Sequence, residues 1–293
     1  MSAELLREII NKYGFSQSQV ATRLGKSPAV VNQYLQGKYN GDQTAIDKAV
    51  EQLHERLKAK EKNGLTAIFV RTETAKKVLN LCAMAHAVGD IYLLVGEAGL
   101  GKTVALKEYA KRHDGVLMLE VDPTYSSKVI LSELCHLLNV QAGKTNHAMF
   151  EAVVGKLADS ERLLIVDEAE LLNTRALEVL RRIHDRTNIG IVLAGMPRLR
   201  ANLRGAKGEF KQLYSRVGLQ LDMQDRLPDD DILQLIKEGI GETEFANKIL
   251  DISKGNARRL NKLLRGVKMW SQKRPDKTVT EKMVADFAAM LID

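Results

Sequence analysis

The sequence predicts an α/β protein in which helices flank a parallel five-stranded sheet, with a further helical segment on each side along the chain. Three observations predict this fold class. Apolar runs typical of buried parallel strands alternate with helical periodicity over residues 65–226. Residues 1–57 and 227–293 show helical periodicity alone. A glycine-rich stretch lies between the first apolar run and the next helix, where a strand must turn sharply.

Residues 1–57 are predicted to form a helix-turn-helix domain. One helix begins after the N-cap residue Ser16 and ends at Gly25, and the next begins after Ser27, with Pro28 in its first position. Five apolar side chains are expected to pack the pair: Val20, Ala21, Leu24, Val31 and Leu35. The second helix of such a motif reads DNA. A helical module that docks on another protein is the alternative.

Four residues on or beside the outward face of this second helix are candidate DNA contacts: Ser27, Asn32, Gln33 and Lys38. Amide side chains hydrogen-bond adenine edges, and a lysine binds phosphate. Two basic blocks add to this expectation, since residues 198–216 hold six basic residues and one acid, and residues 254–277 hold nine and one. Such blocks suit nucleic acid, although a charge run is also typical of a solvated face. The first block supplies three further candidate contacts: Arg200, Arg204 and Lys207.

A helix is expected over residues 45–57, and residues 58–64 are predicted to be a linker because they are charged and end at Gly64. The predicted α/β region then covers residues 65–226, and a basic helical region covers residues 227–293. Five strands are expected in the α/β region, at residues 91–95, 116–121, 163–167, 189–194 and 218–222.

The glycine-rich stretch is a candidate phosphate-binding loop. It follows the first strand and opens a helix, which is the context that a P-loop requires. Its glycines let backbone N–H groups surround phosphate oxygens, the ammonium of Lys102 would reach the β/γ-phosphates, and the Thr103 hydroxyl would hold Mg²⁺. The predicted nucleotide-binding residues are Gly96, Glu97, Ala98, Gly99, Leu100, Gly101, Lys102, Thr103 and Val104. These residues predict the binding of a nucleoside triphosphate, ATP.

Two adjacent acids end the third predicted strand and favour hydrolysis of that nucleotide. Asp167 would contact the hydration shell of Mg²⁺, and Glu168 would act as the general base on the attacking water. The alternative is that both acids only cap the helix that follows, since acids suit a helix N-terminus. With the P-loop about sixty residues upstream, hydrolysis is the preferred interpretation.

Composition limits the class of protein. The 293 residues leave room for two or three domains, and a net charge of +7 is moderate. The two cysteines, Cys82 and Cys135, lie in apolar helical patterns, so a reducing cytoplasm is expected and neither a disulfide framework nor a zinc site is. No apolar run has the length of a membrane span, and no signal-peptide pattern opens the chain.

The order of these motifs resembles the AAA+ ATPases over residues 65–293. The resemblance implies that Arg258, in the segment Gly255-Asn256-Ala257-Arg258, is the sensor 2 arginine that reaches the γ-phosphate; an ordinary basic helix start is the alternative. It also implies that Arg216, just before the fifth strand, is an arginine finger that completes the site of a neighbouring subunit. Arg204 is the second candidate for that role, and either arginine is also a candidate DNA contact.

One position departs from the common AAA+ pattern, because the fourth strand ends in Gly195-Met196-Pro197 and offers no clear sensor 1 residue. This implies a slow ATPase. The ending is similar to that of the transposition ATPases, such as the Tn7-type and Tn5053-type regulators. Together with the N-terminal helix-turn-helix and the basic helical end, it most resembles the B proteins of Mu-type phages and prophages.

The resemblance implies a protein that binds double-stranded target DNA without sequence preference, as an ATP-dependent oligomer or filament. It would deliver that DNA to a transposase and stimulate strand transfer, and contact with the transposase would trigger ATP hydrolysis and release. Three other functions stay open. They are a sequence-specific DNA-binding regulator, an AAA+ protein associated with secretion or motor machinery, and an initiator or helicase loader.

Overall fold

The computed structural model describes residues 2–63, 69–204 and 214–292. The chain divides into two units, of which the first comprises residues 1–67 and 268–275 and the second comprises residues 68–267 and 276–293. Within the described ranges, no helix combines the length and the apolar content needed to cross a bilayer.

The first unit contains the predicted helix-turn-helix. Its described helices are α1 Ser2–Tyr13, α2 Gln17–Leu24, α3 Pro28–Leu35 and α4 Gln43–Asn63. Ser16 and Gln19 cap α2 reciprocally, Gly25 ends α2 with φ +63°, and Ser27 caps α3. The helix-turn-helix prediction is therefore confirmed.

The packing of this unit follows the expectation and adds one residue. Val20, Ala21, Leu24 and Val31 are buried, and Leu35 is half-buried and packs against the same core cluster. Tyr34 is buried as well, and its hydroxyl donates a hydrogen bond to Asp47 of α4. Burial raises the pKa of Tyr34 to about 12, with the Asp47 carboxylate adding to the effect. The sequence pattern of α3 alone could not identify this residue, because its partner comes from another helix.

Helix α4 extends to Asn63, six residues beyond its expected end at Leu57. Residues 58–63 of the predicted linker are therefore helical, because Lys, Ala and Glu favour a helix and no breaker precedes Gly64. Gly64 itself lies outside the described residues. The domain bounds given above stay a prediction.

The second unit is built on a parallel sheet of five strands: β1 Ile91–Val95, β2 Val116–Glu120, β3 Leu163–Asp167, β4 Gly190–Gly195 and β5 Val217–Asp222. Their order across the sheet is β2-β3-β4-β1-β5, and every pair is parallel. The strands β1, β3 and β4 are buried along their whole length, as expected of a sheet covered on both faces. The predicted fold class is confirmed.

Helices connect these strands and follow the last one. Before β5 they are α5 Glu73–Val88, α6 Lys102–Arg112, α7 Ser127–Leu137, α8 Asn146–Leu157, α9 Thr174–Thr187 and α10 Arg198–Arg204. After β5 they are α11 Asp229–Ile240, α12 Ala246–Ser253, α13 Ala257–Ser271 and α14 Glu281–Ala289. A short 3-10 turn, Ala169–Leu171, follows β3.

The helix α10 was not predicted. Pro197 precedes it, and three of its seven residues are arginines, so its sequence has little apolar pattern. Leu199 and Leu203, one helical turn apart, are fully buried in the core cluster of the sheet. These two leucines fix the orientation of a helix that is otherwise mostly basic and polar.

Gly190, at the start of β4, tests how closely α5 packs on the sheet. A Cβ at this position would lie 2.1 Å from the backbone oxygen of Ala85, which cannot move aside as a flexible side chain would. We expect Gly190→Ala to lower the free energy of unfolding by about 1–3 kcal/mol, as other overpacking substitutions do. Urea denaturation measures this change.

Gly155→Ala is the matched control, since Gly155 is exposed within α8 and a Cβ there would meet nothing within 4 Å. Because alanine favours a helix over glycine, this variant should gain up to about 1 kcal/mol. Equal stability of the two variants would contradict the close packing of α5 on β4.

Candidate nucleotide site

The glycine-rich loop lies between β1 and α6, at the carboxyl edge of the sheet. Gly99 and Gly101 have φ values of +86° and +91°, in the left-handed region where a side chain brings strain. Gly101 is also the N-cap of α6 and has no side chain to satisfy the first N–H groups of that helix. A helix N-terminus exposed in this way favours an anion.

Lys102 is the first residue of α6, and its side chain turns back over the loop. The ammonium donates hydrogen bonds to the backbone oxygens of Gly96, at 2.6 Å, and Glu97, at 2.9 Å. Burial lowers the pKa of Lys102, while the negative charges of Asp167, Glu170, Glu168 and Glu97 act in the opposite direction. Among the described residues the buried ammonium is hydrogen-bonded to carbonyl oxygens alone, so it is available to a stronger anionic partner.

Thr103 and Asp167 meet although they come from distant parts of the chain. The Thr103 hydroxyl donates to the carboxylate of Asp167 at 2.6 Å, and Asp167 is 1% exposed. Burial raises the pKa of Asp167, and the hydrogen bond from Thr103 opposes that shift.

These two side chains fit a Mg²⁺ ion that also binds nucleotide. A hydroxyl and a carboxylate are hard oxygen donors, and Mg²⁺ commonly takes one or two protein oxygens beside phosphates and water. The described residues hold no group of three or more metal-ligating side chains, such as a transition-metal site would use.

Glu168 follows Asp167 with φ +58°, an uncommon conformation for a residue with a side chain. Its backbone N–H donates to the Asp167 carboxylate at 3.1 Å, and its own side chain is half-buried. Asp167 is therefore buried, whereas the next acid, Glu168, is partly exposed. Strained backbone of this kind is concentrated at functional sites.

The start of α13 lies against the glycine-rich loop. The backbone N–H of Arg258 donates to the oxygen of Gly99 at 3.1 Å, and the Asn256 amide donates to the oxygen of Ala98 at 2.9 Å. The predicted sensor 2 residue is thus brought to the loop through its backbone, with an exposed side chain. Asn256 was not predicted; its position as N-cap of a helix next to the sensor segment was the available signal.

A third acid, Glu170, was also missed. It lies in the 3-10 turn after Glu168 and is buried beside Gly195, the last residue of β4. The sequence has three acids among the four residues 167–170, but this pattern does not show that Glu170 is buried, since its environment includes a glycine of another strand.

Arg216 lies at the opposite edge of the sheet from the glycine-rich loop. It precedes Val217, which pairs with Ile91 at the start of β1, whereas the loop follows the end of β1. Its guanidinium is half-exposed and forms an ion pair with Asp185 of α9, at 3.1 Å. The strand β1 separates Arg216 from its own loop by about 16 Å, at 3.3 Å per residue.

The candidate DNA contacts of the first unit are exposed around α3. Asn32, Gln33 and Lys38 are exposed, and the Asn32 side chain accepts a hydrogen bond from Gln36. The Ser27 hydroxyl accepts the backbone N–H of Val30 as the cap of α3. All four side chains are therefore exposed, and that of Ser27 has a structural role as well, as the cap of α3.

The candidate contacts in the first basic block are described in part. Arg200 lies on α10 and forms an ion pair with Asp222 at 2.5 Å. Arg204 ends α10, and Lys207 lies outside the described residues. Arg200 would therefore have to exchange Asp222 for a phosphate in order to bind DNA.

Comparisons with known proteins agree with this arrangement. Residues 87–203 match the family described as an AAA domain, and residues 6–56 match the helix-turn-helix family. The chain is 29% identical to the ATP-dependent target DNA activator B of Escherichia phage Mu over 216 residues, 72% of this chain and 69% of the relative. It is 26% identical to the Mu-like prophage FluMu DNA transposition protein B of Haemophilus influenzae over 254 residues, 84% of this chain and 88% of that protein.

A solved structure shares the fold. The ORC2 protein of Aeropyrum pernix, in its ADPNP-ADP complexes, superimposes with a TM-score of 0.59 and 18% identity. The match covers 77% of this chain and 68% of that one. At this identity the likeness establishes the fold alone.

Lys102→Ala tests the nucleotide site. We expect this variant to lower ATP affinity by at least about a hundredfold. It removes the ammonium that is predicted to bind the phosphates, and hydrogen bonds between charged groups are among the strong ones. Calorimetric titration with ATP and Mg²⁺ gives the affinity. Lys107→Ala is the control, since Lys107 lies on the same helix but pairs with Glu120 on the exposed surface. Equal ATP affinities for the two variants would remove the assignment.

Proposed function

Because the chain is homologous to the B proteins of Mu-type phages and prophages and carries an AAA domain and a helix-turn-helix, we propose that it is an ATP-dependent activator of target DNA. The proposed protein assembles on double-stranded DNA when ATP is bound and delivers that DNA to a transposase. ATP hydrolysis then drives release. Because the named relatives belong to phages and a prophage, the proposed place of action is the cytoplasm of the host cell.

The observation that carries this proposal is the meeting of Lys102, Thr103 and Asp167 at one edge of the sheet. In the proposed site Lys102 binds the β/γ-phosphates, and Thr103 and Asp167 hold Mg²⁺, which would supply charge neutralisation for the phosphates. Glu168 is the proposed general base for water, and its half-buried side chain leaves it within reach of solvent. Arg258, at the loop through its backbone, is the proposed arginine for the γ-phosphate.

Non-specific DNA binding is proposed to rest on many weak phosphate contacts. The helix-turn-helix and the basic block around α10 supply cations on separate parts of the chain, and an assembly multiplies each contact by the number of subunits. Such binding depends strongly on salt, because each neutralised phosphate releases counterions.

Assembly is proposed to depend on Arg216. The sheet keeps this arginine away from its own nucleotide, so its guanidinium could complete only the site of the next subunit, as arginine fingers supplied in trans do. The ion pair with Asp185 holds the side chain in one place until the γ-phosphate of a neighbour competes for it.

A sequence-specific regulator is the second candidate, and the match of residues 6–56 to a helix-turn-helix family favours it. The two functions differ in a measurable way. A regulator binds one sequence tightly whatever the nucleotide, whereas the proposed activator binds random sequences and needs ATP.

Binding to a random-sequence duplex therefore tests the proposal, with fluorescence anisotropy as the measurement. We expect ATP to raise the affinity over ADP by at least about tenfold, a typical allosteric coupling, and added salt to lower it. Glu168→Gln should bind ATP and stay on the DNA without turnover, since the amide keeps the shape and loses the basicity. A defined footprint of equal strength with ATP and ADP would support the regulator and defeat the activator.

Arg216→Ala should separate nucleotide binding from assembly. The variant should bind ATP normally, lose turnover by about a thousandfold or more, as removal of an arginine finger does, and form no assemblies on DNA. Sedimentation with DNA and phosphate release measure both effects.

Mixing supplies the control for this variant, because subunits that lack the finger should inhibit wild-type assemblies in proportion to their share. Arg112→Ala is the matched surface variant, since Arg112 pairs only with Glu108 of its own helix among the described residues. Normal assemblies and turnover for Arg216→Ala would transfer the proposed role to Arg204.

A further inference from the structure

Glu170 is a charged residue in an unusual environment. Its side chain is fully buried, and neither carboxylate oxygen has a hydrogen-bond partner among the described residues. Burial of a carboxylate without hydrogen bonds is costly, so such a group calls for a specific explanation.

The carboxylate occupies the space that Gly195 leaves empty at the end of β4. A Cβ on Gly195 would lie 2.1 Å from one carboxylate oxygen of Glu170, so any larger residue there would force the carboxylate to move. The backbone oxygen of Gly195 in turn accepts the N–H of Gly96, the first residue of the glycine-rich loop, at 3.2 Å. One backbone residue thus separates Glu170 from the nucleotide loop.

The charge of Glu170 acts on two cations, Lys102 and Arg198. On the side of the loop, burial lowers the pKa of Lys102, and the negative charge of Glu170 is among those that oppose this shift. On the other side, the guanidinium of Arg198 lies 3.7 Å away, too far for a hydrogen bond and close enough for an ion pair. Arg198 is half-exposed and is the first residue of α10.

The backbone around Glu170 also contacts α10. The Asn202 amide donates to the backbone oxygen of Glu170 at 3.0 Å, one turn beyond Arg198. The helix α10, which opens the first basic block, therefore contacts Glu170 in two ways: by the ion pair of Arg198 with its side chain, and by the hydrogen bond of Asn202 to its backbone.

We propose that Glu170 is a positioning residue that couples the nucleotide site to α10 through Arg198. The inference deepens the proposed function and rests on ATP binding at Lys102. A bound polyphosphate draws the Lys102 ammonium towards itself and adds negative charge close to Glu170. The buried carboxylate then depends on Arg198 for its counter-charge, and the ion pair closes to a hydrogen bond. The first turn of α10 is fixed as a result, and ATP, with one phosphate more than ADP, fixes it more strongly.

Amide hydrogen exchange of residues 198–204 tests this coupling in the full chain. Each protein is first saturated with ADP or with a non-hydrolysable ATP analogue, and calorimetry establishes that both are bound. In the wild type, exchange should be at least about fivefold slower with the analogue than with ADP, the lower end of typical allosteric couplings, and Glu170→Gln should reduce this difference to less than about twofold. Glutamine keeps the shape of the side chain and removes its charge.

Arg198→Gln keeps the proposal testable if a buried glutamine prevents folding, because Arg198 is on the surface. It should also abolish the difference between the two nucleotides, and the double variant should lose no more than either single variant, as expected of one pair. Arg175→Gln is the matched control. It removes an exposed arginine from the first turn of α9, has no ion pair among the described residues, and should keep the wild-type difference.

The results separate a failure of the proposed function from a failure of the coupling through Glu170 and Arg198. Failure of the wild type to bind ATP would overturn both the proposed function and the coupling. Binding of both nucleotides with equal exchange in α10 would overturn the coupling alone, as would additive effects of Glu170→Gln and Arg198→Gln. A loss of the difference in Arg175→Gln as well would show a general charge effect and overturn the specific pair.

Discussion

The hydrogen bond between Thr103 and Asp167 joins the start of α6, which follows β1, to the end of β3. The strands β1 and β3 are not neighbours in the sheet, because β4 lies between them. The contact therefore passes over the end of β4, where Gly195 lies. The space beside Gly195 is taken by the Glu170 carboxylate and by Leu199, so the same strand end also accommodates the acidic turn. The glycine-rich loop, the acidic turn and the end of β4 thus meet at one edge of the sheet.

This arrangement concentrates negative charge where an anion is proposed to bind. Asp167, Glu168, Glu170 and Glu97 all act on Lys102, which is the cation inside the loop. Net attraction for a polyphosphate therefore requires further positive charge: the N-terminus of α6, a Mg²⁺ ion on the Thr103 and Asp167 oxygens, and arginines from outside the loop. The dependence on outside arginines explains why two further parts would matter to such a site. They are the helical region after β5 that contains Arg258, here called the lid, and a neighbouring subunit, since each would supply charge that the loop lacks.

The sequence predicted the parts of the molecule that depend on local pattern. Glycine spacing, a strand before and a helix after identified the loop. Continuous apolar runs identified β1, β3 and β4, because a strand buried on both faces has no polar face. The signal was weaker for β5, whose residues are mostly exposed. The parts that were missed depend on tertiary contacts. Tyr34 is buried through a partner on another helix, and α10 is held by two leucines within a basic run. Glu170 was missed because its environment is created by a glycine on a different strand.

In the lid, the sequence motif predicted which segment is involved but did not predict which atoms make the contacts. The segment around Arg258 was identified by its residue types, but the contacts with the loop are made by the Asn256 amide and a backbone N–H. Both donate to carbonyl oxygens of the loop, at Ala98 and Gly99, so the lid holds the backbone that must surround the phosphates. The Asn256 oxygen also caps α13 by accepting N–H groups of its first turn. One side chain therefore connects the start of the lid helix to the backbone of the loop, and the side chain of Arg258 beside it is exposed, as its proposed role requires.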